Sequence, residues 1–121
     1  MDKAQSLHSF WSSFDIPAYD TSTVPDEAQL PYITYDVATD HIDRQVQMTA
    51  SLWYRSTSWT EISQKAEEIA QSIGDGGKLL KVDGGYIYIF LGSPFAQRMA
   101  DEDETIRRIY LMINAEYLTA F

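Results

Sequence analysis

The feature that most constrains the fold is a stretch, residues 46–90, in which the spacing of apolar side chains changes from that of a strand to that of a helix. Residues 46–55 alternate apolar with polar side chains, a period of two that predicts a strand with one buried face. Residues 58–73 instead repeat their apolar side chains at helical spacing and carry charged and amide side chains on the opposite side. Such a single apolar stripe is typical of a helix that lies on a sheet.

Both ends of this predicted helix carry sequence signals. Ser58 and Glu61 match a capping box, in which each side chain accepts a hydrogen bond from a backbone amide near the other residue. Gly74 suits the C′ position, which favours a positive φ. The glycine-rich residues 74–77 follow a helix and lack the Lys-Ser/Thr pair of a phosphate-binding loop, so we interpret them as a turn.

A hairpin is predicted next along the chain. Asp83-Gly84-Gly85 separates two alternating runs, residues 78–82 and 86–91, and tight hairpin turns favour glycine because they need positive φ. In the second arm, isoleucine and leucine lie on one face, while tyrosine and phenylalanine lie on the other. Both faces are therefore apolar, and the helices cover only one of them.

The N-terminal quarter combines a predicted helix and a predicted loop. Residues 2–14 place leucine, phenylalanine and tryptophan on one helical face, with Asp2 as the N-cap. We expect this helix to dock on the sheet; docking on a neighbouring subunit is the alternative. Residues 15–31 contain three prolines and no clear periodicity, a pattern typical of loops that contact partners. Residues 32–37 then alternate as a short strand.

A possible metal site lies in the connection formed by residues 38–45. Asp40, His41 and Asp43 supply ligand types that metals use. Turns also select aspartate for its hydrogen bonds to the backbone, and no second cluster completes a coordination shell. We therefore favour a solvated hairpin turn and predict neither a metal nor a cofactor.

The C-terminal part is predicted as an irregular segment followed by a long strand. Residues 92–105 include Pro94 and an acidic run at residues 101–104, which we interpret as a solvated loop, with a charged rim against a basic partner as the alternative. Residues 106–118 alternate again. Thirteen extended residues span roughly 40 Å, so we expect this strand to bend or to project beyond its own sheet.

The predicted fold class is α+β: a mainly antiparallel sheet of about 4–5 strands with two helices packed on one face. We expect a single domain, residues 1–121, with an N-terminal helix (2–14), a loop (15–31) and an α+β core (32–121). The predicted inner face holds Ile33, Tyr35, Val37, Met48, Ala50, Leu52, Ile87, Ile89, Leu111 and Ile113. The predicted outer face shows Trp53, Tyr86, Tyr88, Phe90, Tyr110 and Met112.

These six outer-face residues would form an apolar patch too large for a comfortable monomer. Aromatic residues and methionine are also enriched in interface cores. We interpret the six residues as an oligomer interface. The alternative is that residues 15–31 fold over them.

Composition and charge narrow the possible functions. The net charge of −9 argues against a DNA-binding patch, which needs clustered lysine and arginine. Cysteine is absent, which excludes disulfides and thiolate metal sites. The N-terminus lacks the pattern of a signal peptide, and no apolar run approaches the roughly 20 residues of a membrane-spanning helix. We expect a soluble protein made in the cytoplasm, without a membrane partner.

Catalytic signals are weak. The two histidines, His8 and His41, fall on a predicted amphipathic helix and in a turn. The Gly-x-Ser-x-Gly elbow of serine hydrolases is absent, and the paired carboxylates lie in loops where pKa values are ordinary. We predict that the protein is not an enzyme and assign no catalytic residues.

Four segments within residues 30–118 carry a family resemblance: Leu30-Pro-Tyr-Ile-Thr-Tyr, Thr49-Ala-Ser-Leu-Trp-Tyr-Arg-Ser-Thr-Ser-Trp-Thr-Glu-Ile, Asp83-Gly-Gly-Tyr-Ile and Gly92-Ser-Pro-Phe-Ala-Gln-Arg-Met. In these segments the chain resembles tail terminator (tail-completion) proteins of long-tailed bacteriophages and prophages. The resemblance implies a ring, commonly a hexamer, that caps the tail tube and joins it to the head connector. It implies location in the tail or neck of the virion, after assembly in the host cytoplasm, and no catalytic residues.

The implied partners are other copies of the chain, the tail-tube protein and the head–tail connector. Genomic DNA would pass through an acidic lumen without specific binding, since like charge disfavours phosphate contacts. We expect the two long loops to face the partners through Tyr19, Asp20, Phe95, Arg98, Asp101 and Glu102. Alternatives are another neck or head-completion protein, a monomeric binding module and a small enzyme.

Overall fold

The computed structural model describes residues 1–38 and 45–120. Within them the chain forms two α-helices and six strands. The helices are α1 (Lys3–Trp11) and α2 (Thr60–Ile73). The strands are β1 (Ala18–Asp20), β2 (Tyr32–Tyr35), β3 (Gln45–Arg55), β4 (Lys78–Val82), β5 (Gly85–Met99) and β6 (Ile106–Thr119).

All six strands belong to one sheet with the order β1-β2-β3-β6-β5-β4. Four neighbouring pairs are antiparallel: β2 with β3, β3 with β6, β6 with β5 and β5 with β4. Strand β1 pairs in parallel with β2. The predicted α+β class with a mainly antiparallel sheet is confirmed, whereas the predicted strand number is one too low. The additional strand is β1, in the segment that we predicted to be a loop. A strand of three residues is too short to show a period, and its partner β2 defines it.

Strand β5 is much longer than predicted. It extends over 15 residues and includes most of the segment 92–105 that the sequence suggested was irregular. Its pairing with β6 is interrupted between Leu91 and Ala96 and then resumes through Met99. The sequence predicted an irregular segment because Gly92 and Pro94 usually interrupt strands. The strand continues beyond them because residues 96–99 pair with β6, which is distant in the chain. Residues 100–105 connect β5 to β6.

Strand β6 lies in the middle of the sheet. Its 14 residues pair with β3 on one side, from Ile106 to Glu116, and with β5 on the other, from Arg108 to Thr119. We expected this strand to bend or to project beyond its own sheet. The projection is wrong, because two long neighbours pair with it along most of its length, and the bend stays a prediction. Its edges are therefore not available as an interface.

Alternation along the strands separates a buried inner face from an outer face. Nine of the ten predicted inner-face residues are buried, and Val37 is partly buried against the same core. The buried stripes of both helices join this core. Helix α1 contacts the edge strands β1 and β4, whereas α2 contacts β3, β5 and β6. The two helices therefore cover the same face of the sheet, as predicted.

The helix ends agree with the sequence in two cases and differ in one. Asp2 caps α1 in a capping box with Gln5, and Gly74 ends α2 with a φ of 74°. The predicted capping box of α2 is wrong, because Trp59 is the N-cap and makes no side-chain capping bond. Ser58 lies one residue too early, and its Oγ accepts a hydrogen bond from the Thr60 amide instead.

The predicted turn with Asp40, His41 and Asp43 lies outside the described residues. That this turn is solvated and binds no metal therefore stays a prediction. Elsewhere in residues 1–38 and 45–120, no group of three or more His, Cys, Asp or Glu side chains is arranged to hold a metal ion. The helices of the described chain are all too short or too polar to cross a membrane.

Candidate assembly interface

The six predicted interface residues lie on one face of the sheet. Tyr86, Tyr88 and Phe90 follow one another along β5, Tyr110 and Met112 lie on β6, and Trp53 lies on β3. Tyr86 is 45% exposed, and the other five are partly exposed. The structure thus brings the predicted set together; that it forms an interface stays a prediction.

The most exposed part of this face lies where β4, β5 and β6 meet. Leu79 is 55% exposed, Tyr86 45% and Leu118 39%. Tyr86 pairs with Leu118, and Leu79 pairs with Tyr88, so the three exposed side chains share the outer face. We call them the apolar corner. The sequence analysis missed Leu79 and Leu118, although the register of a two-residue hairpin turn would have placed Leu79 beside Tyr88.

Tyr88 is partly exposed on the outer face, and it also stabilises the subunit through contacts of its own. Its hydroxyl donates a hydrogen bond to the carbonyl of Gly76, and its ring packs 5.4 Å from that of Phe90. A Cβ on Gly77 would lie 2.5 Å from the Tyr88 ring, so the ring closes over the turn between α2 and β4. Substitution of Tyr88 would therefore disturb this turn as well as any interface.

An arginine organises the other end of the outer face. The Arg108 guanidinium lies 4.6 Å from the Trp53 ring centroid and 5.9 Å from that of Tyr110. Its Nε donates to Ser51 Oγ at 3.1 Å, and Trp53 Nε1 donates to Thr34 Oγ1 at 2.9 Å. Arginine stacked on aromatic rings adds fixed hydrogen-bond donors to an apolar surface.

The alternative in which residues 15–31 cover the outer face is wrong at the apolar corner. This segment instead adds β1 to the opposite edge of the sheet, beside β2. There the ring of Tyr19 packs edge-on against Tyr32, with centroids 5.6 Å apart. The corner residues are left exposed to solvent.

The predicted partner-facing residues fall into two groups. Tyr19 and Asp20 lie in β1, and Phe95 and Arg98 lie in β5, so the prediction that these four residues belong to loops is wrong. The remaining pair, at positions 101 and 102, lies in the exposed connection between β5 and β6. The structure places Phe95 against the core rather than free in solvent.

The connection between β5 and β6 is held at the end of the sheet by specific contacts. Asp103 Oδ1 accepts hydrogen bonds from the amide and the hydroxyl of Thr105, at 2.8 and 2.7 Å. These bonds hold the pKa of Asp103 below its usual range, with a smaller contribution from the Arg55 guanidinium. The acidic segment is therefore a capped turn as well as a charged surface.

Two guanidinium groups contact the ring of Trp59 on the inner side of this end. The guanidinium carbon (Cζ) of Arg98 lies 4.8 Å from the ring centroid, and that of Arg107 lies 5.1 Å from it. Arg107 also donates to the backbone carbonyls of Thr57 and Glu104, at 2.8 and 3.0 Å. Arg98 is exposed, and among the described residues it has no carboxylate partner.

A groove of about 280 Å³ runs between α2 and the distal half of β5. It is lined by Ser63, Ala66, Glu67, Ala70, Phe95, Ala96, Gln97, Arg98 and Ile109. Small apolar side chains on α2 leave this space, and Arg98 and Glu67 supply its charged margins.

His8, the one histidine in the described residues, links α1 to the sheet. Its Nδ1 lies 2.8 Å from the Tyr35 hydroxyl and its Nε2 lies 3.2 Å from Ser12 Oγ. Burial of Tyr35, and to a lesser extent the charge of Asp20, raise the pKa of this tyrosine. The arrangement accounts for the histidine as a tether between helix and strand. Our prediction that the protein is not an enzyme stays a prediction.

No family model and no curated protein matches the sequence. Among solved structures, the fold is similar to that of one chain in a structure described as "Virion of native gene transfer agent (GTA) particle". The TM-score is 0.64 at 16% sequence identity, and the match covers 93% of this chain and 89% of that chain. At this identity the similarity concerns the fold, which this protein shares over nearly its whole length with a chain of a virion particle.

Proposed function

We propose that this protein is a structural component of a phage-like virion, in which it forms a ring that terminates the tail tube and joins it to the head connector. The observation that carries the proposal is the exposed apolar outer face, on a fold that also occurs in a chain of a gene transfer agent virion. The resemblance of residues 30–118 to tail terminator proteins supports the specific position in the particle.

The outer face supports self-assembly because its composition matches an interface core. The apolar corner and the aromatic row beside it combine leucine, tyrosine and phenylalanine on one face of a regular sheet. Tyrosine is enriched among the residues that contribute most of the binding energy of an interface, and exposed leucine adds apolar area that association would bury. A closed ring requires two different patches on each subunit, so the corner would meet another surface of the neighbouring copy.

The charge of the protein supports passage of DNA rather than binding of DNA. A net charge of −9 on each subunit would give a ring a strongly negative field. Like charge repels the phosphate backbone and suppresses non-specific contacts. DNA would therefore slide through the lumen without being held.

The first test is the mass of the purified full chain by light scattering, followed by negative-stain electron microscopy. The proposal expects a species of about six times the 13.8 kDa subunit mass, with an open pore. A monomer that stays monomeric at high concentration and in the presence of tail-tube protein would refute it.

A second experiment separates a tail terminator from another neck component. Purified protein is incubated with assembled tail tubes and, separately, with the head connector of the same particle. A terminator binds the end of the tube and stops further tube growth. Binding to the connector alone would place the protein in the neck instead.

A further inference from the structure

Two thirds of strand β5, ten of its fifteen residues, has an open edge. Strand β4 pairs with β5 only from Gly85 to Ile89, so residues 90–99 have no strand on that side among the described residues. Natural edges are protected by proline and by bulges, and both occur here in residues 92–95. Beyond this protection, residues 96–99 return to regular pairing with β6 and leave a short regular edge unprotected.

A second open edge lies at the other end of the sheet. Strand β1 pairs only with β2, and its three residues, Ala18, Tyr19 and Asp20, form the last strand on that side. Along this strand Ala18 is buried on the inner face, Tyr19 contacts the outer-face residue Tyr32, and Asp20 points to the same face as Ala18. The two open edges are of similar length.

The charges at these two edges are complementary. Arg98 is on the inner face, since its partner in β6 is the buried Ile109, and it has no carboxylate partner in the described chain. Asp20 is also on the inner face. Its Oδ1 accepts hydrogen bonds from the amide and the hydroxyl of Ser22, at 2.9 and 2.7 Å. Its Oδ2 makes no hydrogen bond among the described residues. The hydrogen bonds from Ser22 lower the pKa of Asp20, so the carboxylate is charged at neutral pH.

We propose that β1 of one copy adds to residues 96–99 of β5 in the next copy, so that the sheet continues from subunit to subunit. Addition of a strand to an open edge is a common mode of protein recognition. The inference rests on the proposed ring and names the second patch that the ring requires. Arg98 of one subunit and Asp20 of its neighbour would then form an ion pair on the inner face.

Cyclic symmetry is compatible with this junction. Within one chain β1 runs antiparallel to β5, as the pairings through β2, β3 and β6 require. A rotation about an axis along the strands keeps both strand direction and the two faces of the sheet, so neighbouring copies would meet in the antiparallel arrangement. Tyr19 would then extend the outer face of its neighbour near Gln97 and Met99.

The edge of β4 is a less suitable partner for the same site. Its Lys78 lies on the inner face, because it pairs with the buried Ile89, and would bring positive charge towards Arg98. Lys78 is also engaged within its own chain, with Nζ 3.2 Å from Ser72 Oγ. Charge therefore favours β1 over β4 as the strand that adds to β5.

Disulfide crosslinking tests the junction directly, because the protein has no cysteine of its own. Tyr19→Cys is combined in one chain with Gln97→Cys or with Met99→Cys, two positions that cover both outer-face registers. Mild oxidation of the assembled protein should give a ladder of crosslinked multimers for one of the pairs. A mixture of the two single variants should give dimers only, because each chain then supplies one half of the junction.

The controls identify other arrangements. Leu79→Cys with Gln97→Cys should not crosslink, and Gln97→Cys alone should not form dimers, since that would indicate two β5 edges in contact. Arg98→Glu should raise the concentration at which the ring dissociates by at least about tenfold, because facing like charges cost more than the 1.4 kcal/mol that corresponds to this factor.

The outcomes distinguish this inference from the proposed function. A ring in which neither Tyr19 pair crosslinks, or in which a control crosslinks instead, would overturn the β1–β5 junction and leave the ring intact. A protein that is monomeric under all conditions would refute the proposed function and the junction with it. A ladder from a Tyr19 pair, sensitive to Arg98→Glu, supports both.

Discussion

At the scale of single residues, several side chains have a second role that only their neighbours reveal. Tyr88 lies in the predicted interface, yet its hydroxyl binds the carbonyl of Gly76. Asp103 belongs to a run of acidic residues, yet it caps the turn before β6 through Thr105. These contacts separate structural from surface roles, and two predictions follow from them.

Tyr88→Phe should lower the free energy of unfolding by about 0.5–1.5 kcal/mol, because it removes one hydrogen bond and leaves the Gly76 carbonyl without its partner. Urea denaturation measures the change. Tyr86→Phe is the matched control, since the Tyr86 side chain is exposed and its hydroxyl makes no hydrogen bond within the described residues. An equal loss in both variants would contradict the structural role of Tyr88.

Thr105→Val should raise the pKa of Asp103 towards the ordinary value of 3.8, because the hydroxyl of Thr105 is the main cause of the lowered pKa. In the wild-type chain a lowered pKa contributes stability that is present above pH 3.8 and is lost as the pH falls through the lowered pKa. The variant should lose part of this pH dependence. NMR titration of the Asp103 carboxyl group measures the pKa, and Thr57→Val, at another exposed threonine, should leave it unchanged.

At the scale of elements, the hairpin between β4 and β5 requires close approach to β6. Gly85 has a φ of 153°, and a Cβ there would lie 2.0 Å from the carbonyl oxygen of Leu118. No L side chain fits this position without movement of the backbone. The hairpin therefore fixes the apolar corner, because it places Tyr86 directly beside Leu118.

Gly85→Ala should lower the free energy of unfolding by at least about 1–3 kcal/mol, the cost of a strained backbone conformation, to which the contact with β6 adds. Thermal or urea denaturation measures this loss. Gly76→Ala is the control, because a Cβ on Gly76 meets no atom within 4 Å. The prediction fails if the two variants are equally stable.

At the scale of the whole molecule, the outer face and the strand edges would determine assembly. A sheet with helices on one face leaves the other face open, and here that face carries three exposed large apolar side chains in one corner. If the chain forms a ring, the corner contributes by burial of apolar area and the edges contribute hydrogen bonds and charge. The two surfaces lie on different parts of the sheet, as a heterologous contact requires.

Leu79→Ser combined with Tyr86→Ser should weaken the oligomer by more than about tenfold, because each exposed anchor contributes of the order of 1–2 kcal/mol to an interface. Stability should change little, since both side chains are already exposed in the subunit. Light scattering over a range of concentrations measures the loss. Gln64→Ser, on the exposed side of α2, is the control; an unchanged oligomer would remove the apolar corner from the interface.

The sequence by itself determined the elements whose burial repeats locally. The two helices, the alternation of β3 and β6, the hairpin and the division into inner and outer faces all follow from side chains a few residues apart, because burial on one face imposes a fixed period. For the same reason the pattern predicts that the six outer-face residues share one face, and the structure places them there.

The tertiary structure alone decided the features that depend on distant strands. Strand β1 and the distal half of β5 exist because β2 and β6 pair with them. Neither segment shows a regular alternation in its sequence, because proline or glycine interrupts or adjoins it. The central place of β6, the cap at Trp59 and the two open edges have the same origin. Hydrogen bonds between strands join residues far apart in the chain, and no local pattern records which backbone edge remains without a partner.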